Sequence, residues 1–184
     1  MKKVEHGKTF DRNAANPPAF EIFHNTVTEG YPEHWHTAIE IIMPTRGEYE
    51  VVVGKDSYNL KEGDIIMINS GVVHGMRFVS QGERIVMLVE PGCVENQEEM
   101  ETIFLRLPAI YFKKEDEEDP FYLFLRSQIL ELVREYDNEG AVMTHRICTG
   151  LKELFSEFGR KGFSDANAQN TFGAMKQQEY IELF

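Results

Sequence analysis

Between Ala19 and Pro91 the apolar residues come in runs too short for helices. These runs are Phe20–Val27, Ile39–Met43, Tyr49–Val53, Asp64–Ile68, His74–Val79 and Arg84–Glu90. Turn formers divide them, notably Gly47-Glu48, Gly54-Lys55-Asp56 and Lys61-Glu62-Gly63-Asp64. Short segments rich in Ile and Val, punctuated in this way, predict an all-β sandwich or barrel. Successive side chains of a strand point to opposite faces. That alternation gives Ala38, Ile42, Val51, Val53, Met76 and Phe78 an inward parity, as barrel filling or as the apolar wall behind a small bound molecule. Trp35 takes the opposite parity and is expected to pack outward, under a helix or the N-terminal segment.

The pattern changes after Pro91. Residues Glu95 to Leu107 read as a short helix ended by Pro108, and Lys113 to Asp119 as a charged loop. Asp119-Pro120 is a helix start, with Asp as N-cap and Pro at the first helical position. Phe121, Leu125, Ile129, Leu132 and Tyr136 follow at helical spacing, and Asn138-Glu139-Gly140 closes the helix. A second helix carries Ile147, Leu151, Leu154, Phe155 and Phe158 on one stripe and stops near Gly159–Gly162. A short connection predicts that the two lie antiparallel. Their stripes should pack on the barrel and on each other. Part of the pair is also expected to form a subunit interface, because a face as wide as Phe121–Leu125 is hard to cover within one chain.

The domain reading is therefore an extended arm over 1–18, a β-barrel over 19–92 and a helical dimerisation region over 93–163. Residues 164–184 read as a linker and the start of a further helix. That last stretch, ending on Tyr180-Ile181-Glu182-Leu183-Phe184, has no cap, polar tail or stop signal, so the chain is expected to be a piece of a longer protein.

Charge narrows the partners. The 184 residues hold 19 basic and 31 acidic side chains, a formal net charge of −12, which repels phosphate backbones. Cys93 and Cys148 match no C-x2-C pattern and are expected to be buried free thiols in a reducing cytosol. The N-terminus has no apolar stretch of a secretory signal, and no apolar run is long enough to span a membrane, so a cytoplasmic location is expected. No Ser/His/Asp or Cys/His arrangement, phosphate-cradling glycine loop or H-E-x-x-H occurs, and His6, His24 and His145 are scattered.

Two linked motifs remain: His34-x-His36-x3-Glu40-x6-Gly47 and Gly63-x5-Asn69-x-Gly71-x2-His74. His34, His36 and Glu40 share a parity and so are expected on one face, with His74 joining from a second strand. Three neutral nitrogens and one anionic oxygen suit a divalent transition metal such as zinc, nickel, iron or manganese. The same imidazoles can instead hydrogen-bond a sugar hydroxyl, because each ring both donates and accepts.

These motifs resemble those of the cupin superfamily over about residues 30–74. Gly30 precedes His34-Trp35-His36, Glu40 follows at the right distance, and Gly47 turns the corner. The second motif departs at Asn69, where the family usually has proline, and at Phe78, where it often has asparagine. Neither is a ligand position. The resemblance implies a mainly β fold, a cupin (double-stranded β-helix or jelly-roll) barrel followed by an antiparallel helical hairpin. An arm, a cupin barrel opening with His-Trp-His and a helical hairpin are similar to the sensor half of AraC-type transcriptional regulators. The segment Glu179-Tyr180-Ile181-Glu182 resembles the helix leading into their helix-turn-helix region. That likeness implies a small polar effector, often a sugar, bound by His34, His36, Glu40 and His74 against Ile42, Met76 and Phe78. It also implies a homodimer made through the helices, with DNA bound only by a domain outside this chain. The alternative is a stand-alone metal-dependent cupin enzyme, a dioxygenase or a sugar isomerase.

Overall fold

In the computed structural model, residues 19–27, 29–93, 108–114, 118–138 and 142–161 are described. The expected arm, the helix expected over Glu95–Leu107 and the segment 164–184 lie outside them.

Among the described residues nine strands form two antiparallel sheets. They are β1 (Phe20–Val27), β2 (Tyr31–His34), β3 (Ile39–Arg46), β4 (Tyr49–Val53), β5 (Asp56–Leu60), β6 (Ile65–Ile68), β7 (His74–Phe78), β8 (Gly82–Val89) and β9 (Ala109–Phe112). One sheet has the order β1-β8-β3-β6-β9 and the other β2-β7-β4-β5. Gly47, Gly54, Gly63 and Gly71 have positive φ, the left-handed backbone that tight turns between such strands demand and glycine adopts without steric cost.

Two α-helices among the described residues complete the fold, α1 (Pro120–Asp137) and α2 (Met143–Lys161). The Asp119 carboxylate accepts from the Phe121 N–H at 2.8 Å, which is the N-cap expected at that point. Phe121 meets Phe158, while Glu135 meets Arg146 at 3.0 Å, so the helices run antiparallel. No helix among the described residues is long and apolar enough to cross a membrane.

The core has two compartments. Ala38, Ile42, Val51, Val53, Leu60, Ile66, Ile68, Met76, Val86 and Leu88 pack between the sheets. Ile39, Ile41, Met43, Ile65, Met67, Ile85 and Met87 leave the other face of the five-stranded sheet and meet the helix stripes. This explains why β3 and β6 hold apolar residues at successive positions, Ile41-Ile42-Met43 and Ile65–Ile68: each strand is covered on both sides. The wide face of α1 is covered by the chain itself, since Phe121 and Leu125 are both buried. Tyr122 anchors that helix by donating to the Gly63 carbonyl at 2.8 Å.

One expectation needs correction. Strand β9 falls inside the stretch assigned to helices, yet it pairs with β6 and extends the barrel sheet. Trp35 is half exposed with no described helix over it, and the arm, its other expected cover, lies outside the described residues.

Candidate metal centre

The chain reaches the site by crossing between sheets. His34 is the last residue of β2, in the four-stranded sheet, and Glu40 is the second residue of β3, in the other. His36 lies in the crossing itself, whose backbone is held by a hydrogen bond from the Gly71 N–H to the His36 carbonyl at 2.8 Å. His74 opens β7 directly opposite His34 in the antiparallel register. A shared parity within one strand, the expected cause of convergence, is therefore not what aligns these groups. A turn of the chain from one sheet to the other is.

One potential ligand atom from each of His34, His36, Glu40 and His74 lies within 4.8 Å of the others. Ligands on opposite sides of a single ion at about 2.1 Å each stand about 4.2 Å apart, so a small contraction would enclose one ion. His36, Glu40 and His74 are buried, and His34 is partly exposed, on the side that meets solvent.

The hydrogen bonds around the rings settle which nitrogens face inward. The Nδ1 atoms of His34, His36 and His74 lie 3.0, 2.9 and 2.8 Å from the carbonyls of Pro32, Ala38 and Val72. A carbonyl only accepts, so each Nδ1–H donates and a neutral ring keeps its lone pair on Nε2. Yet Nε2 of His36 and of His74 sits 2.9 and 3.0 Å from the same Glu40 oxygen, another acceptor. Either both rings carry a second proton, or a cation stands among the lone pairs. The set of three Nε2 atoms and one carboxylate thus fits a divalent transition metal.

The electrostatics agree. Burial alone would raise the Glu40 carboxyl, but hydrogen bonds from His36 and His74 outweigh it and hold that group well below the ordinary carboxylate range. Burial, then the neighbouring His74, lowers His34, which keeps that ring neutral. Burial pulls His74 down, but the bond to Glu40 overcomes it and raises the ring above its usual value.

Of the expected wall, Ile42 and Met76 are buried in the barrel interior with Ala38, Val51 and Val53. Phe78 does not join them. It closes β7 at the barrel's end and is 46% exposed, because the inward parity there points past the last covering layer. A residue that sequence reasoning passed over takes part instead. Arg84 is 7% exposed, its guanidinium touches the Met76 sulfur, and it lies 5.6 Å from the centre of the Tyr49 ring. Burial lowers it from the usual arginine range, opposed by the charge of Glu40. The available signal was parity: residues 84, 86 and 88 of β8 share the inward face.

Residues 25–90 match the family model described as Cupin domain. The barrel has the cupin fold. Its fold is similar to that of ToxT from Vibrio cholerae, with a TM-score of 0.52 at 11% identity. That likeness covers 79% of this chain and 58% of ToxT, so the chain spans a little over half that protein's length. An RmlC-like cupin from Shewanella frigidimarina is 18% identical, with a TM-score of 0.38 over 40% of this chain and 68% of its own. The DMSP lyase DddQ from Ruegeria pomeroyi is 25% identical, with a TM-score of 0.36 over 40% of this chain and 39% of its own. No curated protein sequence matches the chain.

Proposed function

We propose that this chain is the ligand-sensing and dimerisation part of an AraC-family transcription regulator, acting in the cytoplasm. The observation that carries the reading is the helix pair seated on the back of the site-bearing sheet. The likeness to ToxT, an AraC-family regulator, covers 79% of the chain, more than the cupin barrel alone supplies. In this reading a small polar effector, such as a sugar, enters beside His34 and meets His36, Glu40 and His74. A metal held by those four residues would keep open positions for the effector's oxygens and polarise them. Arg84 adds a cationic donor to the same interior. Residues 1–18 would act as the arm, 19–92 as the sensor barrel and 93–163 as the dimerisation region. Residues 164–184 would lead to a DNA-binding domain outside this chain.

Sensing requires the effector to favour one arrangement of the attached elements over another. Because Ile41 and Met43 of β3 touch the helix layer while Glu40 and Ile42 face the interior, a shift of β3 reaches the helices directly. Dimerisation would use the outer surface of the helix pair, where Leu123 of α1 is exposed and Val142 is exposed just before α2. Sedimentation velocity should give a dimer at micromolar concentration that does not retard DNA. A monomer would remove the interface from the proposal. A complete set of four ligand groups favours a second reading, a metal-dependent cupin enzyme. Stoichiometric iron together with oxygen consumption on a candidate substrate would select it.

A further inference from the structure

We infer that Cys93 and Cys148 form a reversible disulfide, driven by a peroxide, that ties the exit of the barrel to α2. The sequence separates these residues by 55 positions, yet the fold brings their sulfurs to 3.4 Å. Cys93 ends the 3-10 turn Pro91–Cys93 that follows β8, where its N–H donates to the Glu90 carbonyl at 2.9 Å. Cys148 lies in the second turn of α2. A disulfide holds its sulfurs at about 2.05 Å, so closure asks for roughly 1.4 Å, within reach of side-chain rotation. Contrary to the expected burial, both thiols are partly exposed, which admits a small oxidant. The chain has two cysteines in all, so one intramolecular pairing exists.

The order of events follows from where the proton sits. Burial, then the hydrogen bond to Cys148, pushes the Cys93 thiol up to about 12. Cys93 therefore stays protonated and takes the second step, with the Cys148 sulfur, 3.4 Å away, meeting the oxidant first. Cys148 gives an electron pair to one peroxide oxygen, the O–O bond breaks, and a sulfenic acid and water result. The Cys93 sulfur then attacks the oxidised Cys148 sulfur. The S–S bond forms, the S–O bond breaks, and the departing hydroxide leaves as water with the Cys93 proton. Two thiols and one hydrogen peroxide thus yield one disulfide and two waters. Lys152, one turn further along α2, favours the Cys93 thiolate and so assists the second step. The inference is independent of what the barrel binds.

Treating the full chain with hydrogen peroxide, then denaturing and alkylating it with iodoacetamide, tests this. The expected result is a fall from two labels to none, an intact mass lower by two hydrogens, and one cross-linked peptide joining Cys93 to Cys148. Dithiothreitol should restore both labels. In Cys93→Ser the sulfenic acid of Cys148 loses its partner and should be trapped by dimedone. Unchanged labelling, sulfinic acid on either residue, or disulfides between chains would overturn the proposal. Dimedone capture at Cys93 in Cys148→Ser, with none at Cys148 in Cys93→Ser, would overturn the assigned order.

Discussion

Replacing Glu40 by glutamine separates the charge of the site from its shape. The amide fills the same volume, and its oxygen can take the place of the one that accepts from His36 and His74 at 2.9 and 3.0 Å. In the metal-free protein, two charge-assisted hydrogen bonds become neutral ones, at a cost of about 1 kcal/mol each. Removing a buried charge offsets part of that cost. The net change should stay within about 2 kcal/mol, or roughly 8 °C in Tm for a chain this size.

The metal-bound protein should respond far more strongly. Without the carboxylate, a dication among three neutral imidazoles loses its only anionic ligand in a buried site. Breaking a buried ion pair from one side costs about 3–5 kcal/mol. At about 1.4 kcal/mol per factor of ten, metal affinity should fall by roughly 100- to 3,000-fold. Competition with a chromogenic chelator, run with zinc and with manganese on metal-stripped protein, measures this directly, with far-UV circular dichroism as the folding control. A folded Glu40→Gln protein with affinity within about threefold of the parent would refute the claim that the carboxylate and the imidazoles share one ion.

The metal-free site should also carry a pH signature. Glu40 is depressed, so its contribution is complete above the unfolded value of 4.5 and lost as pH falls through its folded value. His74 is raised, so its contribution is complete below 6.5 and lost as pH rises through its folded value. Metal requires the neutral ring, so the Tm gain from added zinc should grow between roughly pH 6 and 8 in thermal-shift scans. Phe158→Ala empties a buried position against Phe112 and Phe121 and should cost about 3–5 kcal/mol, lowering Tm by roughly 6–20 °C. Because Phe158 lies behind the five-stranded sheet, chelator competition should find zinc affinity unchanged in that variant. Gly82→Ala would drive a methyl group into the Arg46 carbonyl and the Tyr49 hydroxyl, and urea melts should show a loss of about 1–3 kcal/mol.

What the sequence concealed has physical reasons. Strand β2 went unread because Tyr31, Pro32 and Glu33 are all exposed, so no apolar alternation marks it. In β5 the exposed Ser57 and Asn59 flank Tyr58, and two buried residues in five are too few to signal a strand. Strand β9 is four residues held between Pro108 and a charged loop, and it is a strand because β6 offers an edge. Helix α1 was legible from end to end, since Asp119-Pro120 and its stripe are local signals, whereas α2 showed its stripe and its stop but not its start at Met143. Arg84 was hidden by rank: at the head of an apolar run it reads as a border residue until the parity of β8 is applied. The two cysteines could not be paired at all, because nothing local links a 3-10 turn to a helix 55 residues away.

The site was legible for a reason different from the one its spacing suggested. Each ring is oriented by a carbonyl two positions away, Pro32 for His34, Ala38 for His36 and Val72 for His74. A short motif can encode such contacts, since they depend on local backbone rather than on distant packing. One long-range fact, the register that sets His34 opposite His74, then brings the halves together. The motif therefore specifies where four ligand atoms point and which nitrogens keep their lone pairs. In the proposed reading, selectivity for what binds against them would come from Met76, Tyr49 and Arg84, which lie on β7, β4 and β8 around one guanidinium. That division is why the same ligand set can serve a sensor or an enzyme. It also directs a search for the ligand toward the interior around Arg84 rather than toward the histidines alone.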